Sequence, residues 1–287
     1  MMTSLHRLRN DGRGVRHAML ALVALLAGAC ATPTPAAAPA GIPLRVMTYN
    51  IRSGNGDLAG TAAAIRAQHP DIVALQEVDV HWAPRSDYVD QATELGRRLG
   101  MQVRFAPIYV IPDSSGRGPP REFGVALLSR FPVVAFSNDT ITRLSTQVES
   151  PVPTPMPGLL DATLDVRGVR VHVLNTHLDY RRDPAARATQ VREMIAHVDT
   201  TAPTLVFGDM NASPSAPELQ PLLALLHDAW GGRADGFTYP AEAPTERIDY
   251  VLTSSHFRVH DVAVPTTQAS DHRPVVAALD LERAINR

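Results

Sequence analysis

The sequence predicts an α/β domain. Short apolar runs that read as buried strands alternate with segments of helical period, and many of the runs end in Asn, Asp, Glu or His. No shift in composition interrupts residues 44–281, so one domain accounts for that span of the 287 residues. Strands alternating with helices are the pattern of sheets joined by crossover helices.

The chain before that domain reads differently. Arg7, Arg9, Arg13 and Arg16 precede an apolar run, Ala18 to Ala29, that is short for a bilayer span. A basic leader, an apolar stretch and small residues at the cut are the layout of an export signal, here residues 1–29. Leu26-Ala27-Gly28-Ala29-Cys30 resembles a lipoprotein processing site, with Leu26 one place further from the cysteine than usual. Ala27-Gly28-Ala29 also fits ordinary signal peptidase, and both readings cut before Cys30. Cys30 is the only cysteine, which excludes an internal disulfide. A lone cysteine at the cut favours lipidation at Cys30. The expectation is an exported protein of the cell envelope, lipid-anchored to a membrane and facing the periplasm. Residues 30–43, rich in Ala and Pro, read as a tether.

All 27 basic residues are Arg, set against 29 acidic ones. Removing residues 1–29 takes four Arg and one Asp away and moves the net charge from -2 to -5. A chain that holds long nucleic acid needs surplus cations to neutralise phosphates, so this balance disfavours a processive nuclease.

Within the domain, Leu44 to Ile51 predicts the first strand and Ala59 to Gln68 a helix stopped by Pro70. Ile72 to Val78 is a near-continuous apolar run, as expected of a strand covered on both faces. A helix follows from about Asp90 to Leu99, with Ala92, Leu95 and Leu99 on one face. Gln102 to Tyr109, Phe123 to Ser129 and Val133 to Phe136 predict strands. Residues 112–121, and 147–157 with their four prolines, predict loops. Leu159 to Val166 and Val169 to Thr176 form a hairpin around Arg167-Gly168, and Ala185 to Val198 a helix. Thr204 to Phe207 predicts a strand broken by Gly208, with Ser213 as cap of a following helix and Leu219 to Leu226 helical. Ile248 to Leu252, Arg258 to Val264 and Val275 to Leu279 are the closing strands.

Asn50, Glu77, His177, Asp209 with Asn211, and Asp249 stand at or near strand ends, and Asp271 with His272 in a loop before the last strand. An isolated Asp-x-Asn is ordinary turn chemistry. The set as a whole points to convergence at one rim, where sheets place ligand sites. Glu77, Asp209 and Asp271, with Asn50 and Asn211, are oxygen donors of the kind Mg²⁺ or Mn²⁺ takes. His177 and His272 beside a hard cation suit phosphoester cleavage, in which a proton is relayed and charge grows on phosphate oxygens. Asp249 and Asp271 are both candidates to fix a histidine tautomer. Trp82 and Trp230 read as packing residues.

The ordered set Met47-Thr48-Tyr49-Asn50-Ile51, Leu75-Gln76-Glu77-Val78, Asn175-Thr176-His177-Leu178, Gly208-Asp209-Met210-Asn211, Arg247-Ile248-Asp249-Tyr250-Val251 and Ser270-Asp271-His272 resembles the endonuclease/exonuclease/phosphatase superfamily of DNase I-like phosphoesterases. One departure is Val125, where relatives carry Asn. The resemblance implies a four-layered α/β sandwich, two packed mixed sheets flanked by helices. It implies Glu77 as principal metal ligand with Asn50 and Asp271 beside it. It also implies Asp209 orienting or deprotonating the attacking water, Asn211 holding a phosphate oxygen, His177 steadying the phosphate, and His272 as catalytic histidine oriented by Asp249. Glu122 is expected near His177.

The function expected is a divalent-metal-dependent phosphoesterase of the envelope, acting on phosphodiester bonds by in-line attack of water. Its substrate is a phospholipid headgroup, a nucleotide or nucleic acid. An envelope nuclease and a non-catalytic binding module with the same fold are the alternatives. Nothing in the sequence points to a protein partner.

Overall fold

The computed structural model describes residues 41–114 and 116–282. The signal segment, Cys30 and most of the tether lie outside the described residues. In chain order the elements are β1 (Ile42–Asn50), α1 (Leu58–Ala67), β2 (Ile72–Val80), α2 (Gln91–Leu99), β3 (Gln102–Ile111), β4 (Arg121–Ser129), β5 (Val133–Arg143) and β6 (Thr154–Val166). They continue with β7 (Val169–His177), α3 (Ala185–Ile195), β8 (Thr204–Asp209), α4 (Gln220–Leu223), β9 (His227–Asp228), β10 (Asp249–Thr253), β11 (Phe257–Ala263) and β12 (Val275–Leu281).

The strands form two six-stranded sheets, in the orders β11-β12-β1-β2-β4-β3 and β5-β6-β7-β8-β10-β9. Each sheet is mixed, with a parallel pair at its centre: β1 beside β2, and β7 beside β8. Parallel neighbours cannot be joined by a tight turn, so each pair carries a crossover helix, α1 in the first case and α3 in the second. Strand alternation then sorts the side chains. Ile42, Leu44, Val46, Ile72 and Ala74 face inward and pack against Val171, Val173, Leu205, Phe207 and Val251 of the other sheet. Met47, Tyr49, Val73 and Leu75 face outward and are covered by Ala62 and Ile65 of α1 and Ala92 and Leu95 of α2. Leu174, Val206, Tyr250 and Leu252 are covered likewise by Val191 and Met194 of α3 and Leu222 of α4. The chain therefore folds as helices, sheet, sheet, helices, the predicted four layers. Val125 is fully buried in the inter-sheet core.

Several local expectations need correction. The first strand begins at Ile42, two residues into the predicted tether. Pro43 is tolerated there because it lies in the first residues of the strand. The proline-rich loop is shorter than predicted, since β6 starts at Thr154. Pro155 lies on an overhang paired with β5 alone and Pro157 in the register shift that follows, and β7 joins only from Leu160, so neither proline takes a ladder place on that side. The strand from Val133 runs on to Arg143. Gly208 does not break β8, which continues through Asp209. It is glycine because a Cβ there would meet the Thr176 carbonyl oxygen at 2.5 Å. Ser213 caps no helix; its hydroxyl pairs with Ser215, and the next helical turn is a 3-10 turn from Pro217. The α-helix predicted over Leu219 to Leu226 is reduced to α4, and α3 ends at Ile195.

Candidate active site

At one rim of the sandwich the inward-facing rows change from apolar to polar. Ile42, Leu44 and Val46 of β1 lead to Thr48 and Asn50, and Ile72 and Ala74 of β2 lead to Gln76. Val171 and Val173 of β7 lead to Asn175 and His177, Leu205 and Phe207 of β8 to Asp209, and Val251 of β10 back to Asp249. The two-residue period that builds the core thus delivers the polar side chains to the end of the same gap between the sheets. His177 is the cross-strand partner of Asp209, and Asp209 of Asp249, so three neighbouring strands set them in one row.

Glu77 lies off this alternation. Leu75 and Val78 both face the helix-covered side although they stand an odd three positions apart, because a β-bulge interrupts pairing with β4 between them. Glu77 absorbs it with a φ of +54°, uncommon for a residue with a Cβ. Without the bulge, Glu77 would point under the helices beside Leu75. Gln76 Nε2 donates to Asn175 Oδ1 at 2.7 Å, and Asn175 Nδ2 donates to the Leu75 and Ala126 carbonyls. The opposing sheet thereby serves backbone acceptors beside the irregularity.

Asp209 Oδ2 is the hub. Asn50 Nδ2 donates to it at 3.0 Å and to Glu77 Oε1 at 3.0 Å. His177 Nε2 lies 3.5 Å and His272 Nε2 3.7 Å from the same oxygen. Asp209 Oδ1 accepts from the Asn211 backbone N–H at 2.9 Å. Asn211 has a φ of +48°, which asparagine tolerates better than most residues, and this turns its side chain back toward β7. Its Nδ2 lies 2.9 Å from His177 Nε2 and donates to the Leu178 carbonyl.

His272 Nδ1 sits 2.9 Å from Asp249 Oδ2, which turns Nε2 toward Asp209. Burial alone would lower this imidazole, but the charge and hydrogen bond of Asp249, with Asp209 and Asp271 adding, push it up to about 10. Burial pushes the Asp249 carboxyl up as well, so the pair retains a proton through the neutral range. The Tyr239 ring packs on the imidazole with centroids 4.8 Å apart. Ser270 Oγ donates to the Asn50 carbonyl at 2.8 Å and accepts from the His272 N–H, anchoring the loop that carries Asp271 and His272. Asp271 is partly exposed, 3.4 Å from Arg52 Nε.

All eight residues expected for catalysis and metal binding therefore gather at this rim. Glu122 does not join His177; it faces Asp90 and His81. Three contributors carried no assigned role in the sequence. Arg143, buried, donates to the Pro157, Gly158 and His177 carbonyls and so fixes the end of β7. Tyr239 and the Gln76–Asn175 pair complete the frame. Gln76 and Asn175 stood inside the recognised motifs, but Arg143 and Tyr239 had no local signal.

Asp209, Asp249 and His272 bring ligand-type atoms within 4.8 Å of one another, as do Asp139, Asp161 and His197 on the outer face of the second sheet. In the rim site the carboxylates Glu77, Asp209, Asp249 and Asp271 outnumber the arginines near them among the described residues: Arg52, half exposed beside Asp271, and Arg85, which is paired with Asp79 and acts on Glu77 from there. This excess of carboxylate oxygens fits a hard divalent cation, with Glu77 and Asp271 on the accessible side. Asn50 presents its amide nitrogen to Glu77 and Asp209, and its oxygen accepts from the Arg52 N–H at 3.0 Å. It bridges carboxylates here, so ligation by its oxygen requires the amide to turn.

The model of the Endonuclease/Exonuclease/phosphatase family matches residues 47–272. No curated protein matches the chain. Among solved structures, an endonuclease/exonuclease/phosphatase from Beutenbergia cavernae is 27% identical with a TM-score of 0.65, over 85% of this chain and 72% of that one. The human Nocturnin catalytic domain, solved with a bound sulfate anion, is 24% identical with a TM-score of 0.60, over 83% and 93%. The mannosyl-6-phosphatase Bt3783 of Bacteroides thetaiotaomicron is 19% identical with a TM-score of 0.62, over 82% and 99%.

Proposed function

Given that the chain belongs to the Endonuclease/Exonuclease/phosphatase family, we propose that it is a divalent-metal-dependent phosphoesterase that cleaves phosphodiesters by in-line attack of water. The observation that carries this reading is the line Asp249–His272–Asp209, with His272 Nδ1 2.9 Å from one carboxylate and Nε2 3.7 Å from the other. Asp249 fixes which face of the imidazole looks into the site. Asp209, held by Asn50 and the Asn211 N–H, presents an oxygen that orients water and takes its proton. Asn211 and His177, joined to each other at 2.9 Å, stand where a non-bridging phosphate oxygen is received. His272, holding a proton, supplies positive charge to the phosphate and a proton to the departing oxygen. Glu77 and Asp271 would hold Mg²⁺ or Mn²⁺, which supplies Lewis-acid polarisation of the phosphoryl oxygen.

The same reading places the protein in the cell envelope through a lipid on Cys30. Its support is the leader sequence and the lone cysteine at the expected cut. Absence of labelled fatty acid on the expressed full chain would remove the anchor from this reading.

The test is turnover of bis-p-nitrophenyl phosphate with Mg²⁺ or Mn²⁺ by the wild type, His272→Ala and Asp209→Ala. Loss of turnover in both variants is expected. Equal rates in all three proteins would refute the assignment.

A further inference from the structure

Beside Glu77 and His177 the site opens into a cleft of about 180 Å³ that the proposed chemistry leaves unused. One wall is aromatic. Tyr109 and Phe123 line it, with ring centroids 6.2 Å apart and an interplanar angle of 27°. Trp82 braces both from behind, 6.2 and 5.7 Å away. The Tyr109 hydroxyl accepts from the Thr146 N–H at 2.8 Å and meets the Thr146 hydroxyl at 3.1 Å, which fixes the ring before any ligand arrives. The facing wall holds Leu144, Leu178 and Tyr180, the last 64% exposed.

The floor carries a donor with nothing to donate to. Gln190 is 1% exposed and lines the cleft. Its Oε1 accepts from the Asp179 N–H at 2.9 Å, which settles the orientation of the amide, because a backbone N–H can only be met by oxygen. Nε2 then has no hydrogen-bond partner among the described residues. Gln190 is in the lining, so Nε2 is presented to the cleft as a free amide donor for an acceptor oxygen.

The charges of the cleft are already used. Arg143 spends its donors on the Pro157, Gly158 and His177 carbonyls and on Thr176 Oγ1. Asp179 is ion-paired with Arg181. Among the described residues lining the cleft, no cation remains for a second phosphate. Flat apolar walls, one free amide donor and no spare charge describe an uncharged ring bearing an oxygen substituent.

We infer that this cleft receives the non-phosphate part of the substrate, and that this part is an uncharged, ring-bearing alcohol stacked on Tyr109 and Phe123, with a ring oxygen substituent accepting from Gln190 Nε2. The inference rests on the phosphoesterase reading and narrows it. The preferred substrates are phosphoesters of aryl or sugar alcohols rather than polyanionic nucleic acid.

The experiment is titration calorimetry of the full chain with Mg²⁺ present, using phosphonates that cannot be hydrolysed: methyl phosphonate, phenyl phosphonate and a hexose phosphonate. A ring-bearing phosphonate should bind about tenfold or more tighter than methyl phosphonate. Which of the two rings gains more separates the aryl source from the sugar source. Phe123→Leu keeps apolar volume and removes the aromatic ring, and should bring the ratio toward one. Gln190→Glu keeps the acceptor for the Asp179 N–H and removes the donor, and should weaken only the oxygen-bearing hexose probe. Unchanged melting temperatures show that both variants fold. Equal binding of all three probes by the wild type, or ratios that neither variant alters, would overturn the inference alone. No binding of any phosphonate would overturn the phosphoesterase reading and the inference with it.

Discussion

Gln76 donates its side-chain amide to Asn175 across the gap between the two sheets, at 2.7 Å and fully buried. Asn175 in turn serves the Leu75 and Ala126 carbonyls beside the bulge that aims Glu77. Replacing Asn175 by Ala leaves Gln76 Nε2 without its Asn175 acceptor and strips both carbonyls of this donor. The expected loss is about 3 kcal/mol in denaturant unfolding, since each orphaned buried group costs about 1–3 kcal/mol. Turnover should fall as well, because Glu77 loses its frame. A variant with unchanged stability would show that water replaces the amide.

Asp249 and His272 make the second buried pair. Asp249→Asn keeps the shape and removes the charge that holds the imidazole proton. Steady-state kinetics should show kcat lower by about 10²–10⁴-fold, the span of general acid–base contributions, with KM little changed. A KM effect alone would assign Asp249 to substrate binding instead.

The same pair sets a pH dependence. The imidazole titrates up at about 10 in the fold against about 6.5 in the unfolded chain. A raised histidine contributes stability that is whole below pH 6.5 and is lost as pH rises through 10. Metal-free wild type should therefore lose stability across that window in chemical unfolding, and Asp249→Asn should lose less. Parallel curves for the two proteins would contradict this.

Cation binding supplies a further test. Glu77→Gln or Asp271→Asn should weaken Mg²⁺ or Mn²⁺ by about tenfold or more and shrink the rise in melting temperature that the ion gives the wild type. An undiminished thermal shift in both variants would move the cation to Asp209, Asp249 and His272.

Gly208 gives a prediction about packing. Its Cβ would stand 2.5 Å from the Thr176 carbonyl oxygen, a backbone atom with little room to yield. Gly208→Ala should destabilise the protein by about 1–3 kcal/mol in thermal unfolding and displace the adjacent Asp209, lowering turnover.

Much of this site was legible because the period that makes a buried strand also ranks its polar end. Asn50, Asp209 and Asp249 each sit an even number of residues from a core side chain on the same strand. Glu77 was found by motif and not by period, since a bulge is invisible to alternation. Gly208 was misread because glycine marks a close approach as well as a break, and only the neighbouring strand distinguishes the two. Pro155 and Pro157 misled for a related reason: a strand overhang without a second partner costs proline nothing. Arg143 and Tyr239 were silent because their partners, strands β6 and β7 for the first and the loop of His272 for the second, are distant in sequence, and no local pattern records such contacts.

Asn50 reaches Asp209 across 159 residues of sequence, and Ser270 reaches Asn50 across 220. Such closures order long stretches of chain before they return any contact energy, and they form slowly. Neither the first sheet nor the second holds the proposed catalytic set by itself. Competence therefore arrives as a late event in refolding, when the sheets dock, and a nascent chain carries no working site until Asp271 and His272 have left the ribosome.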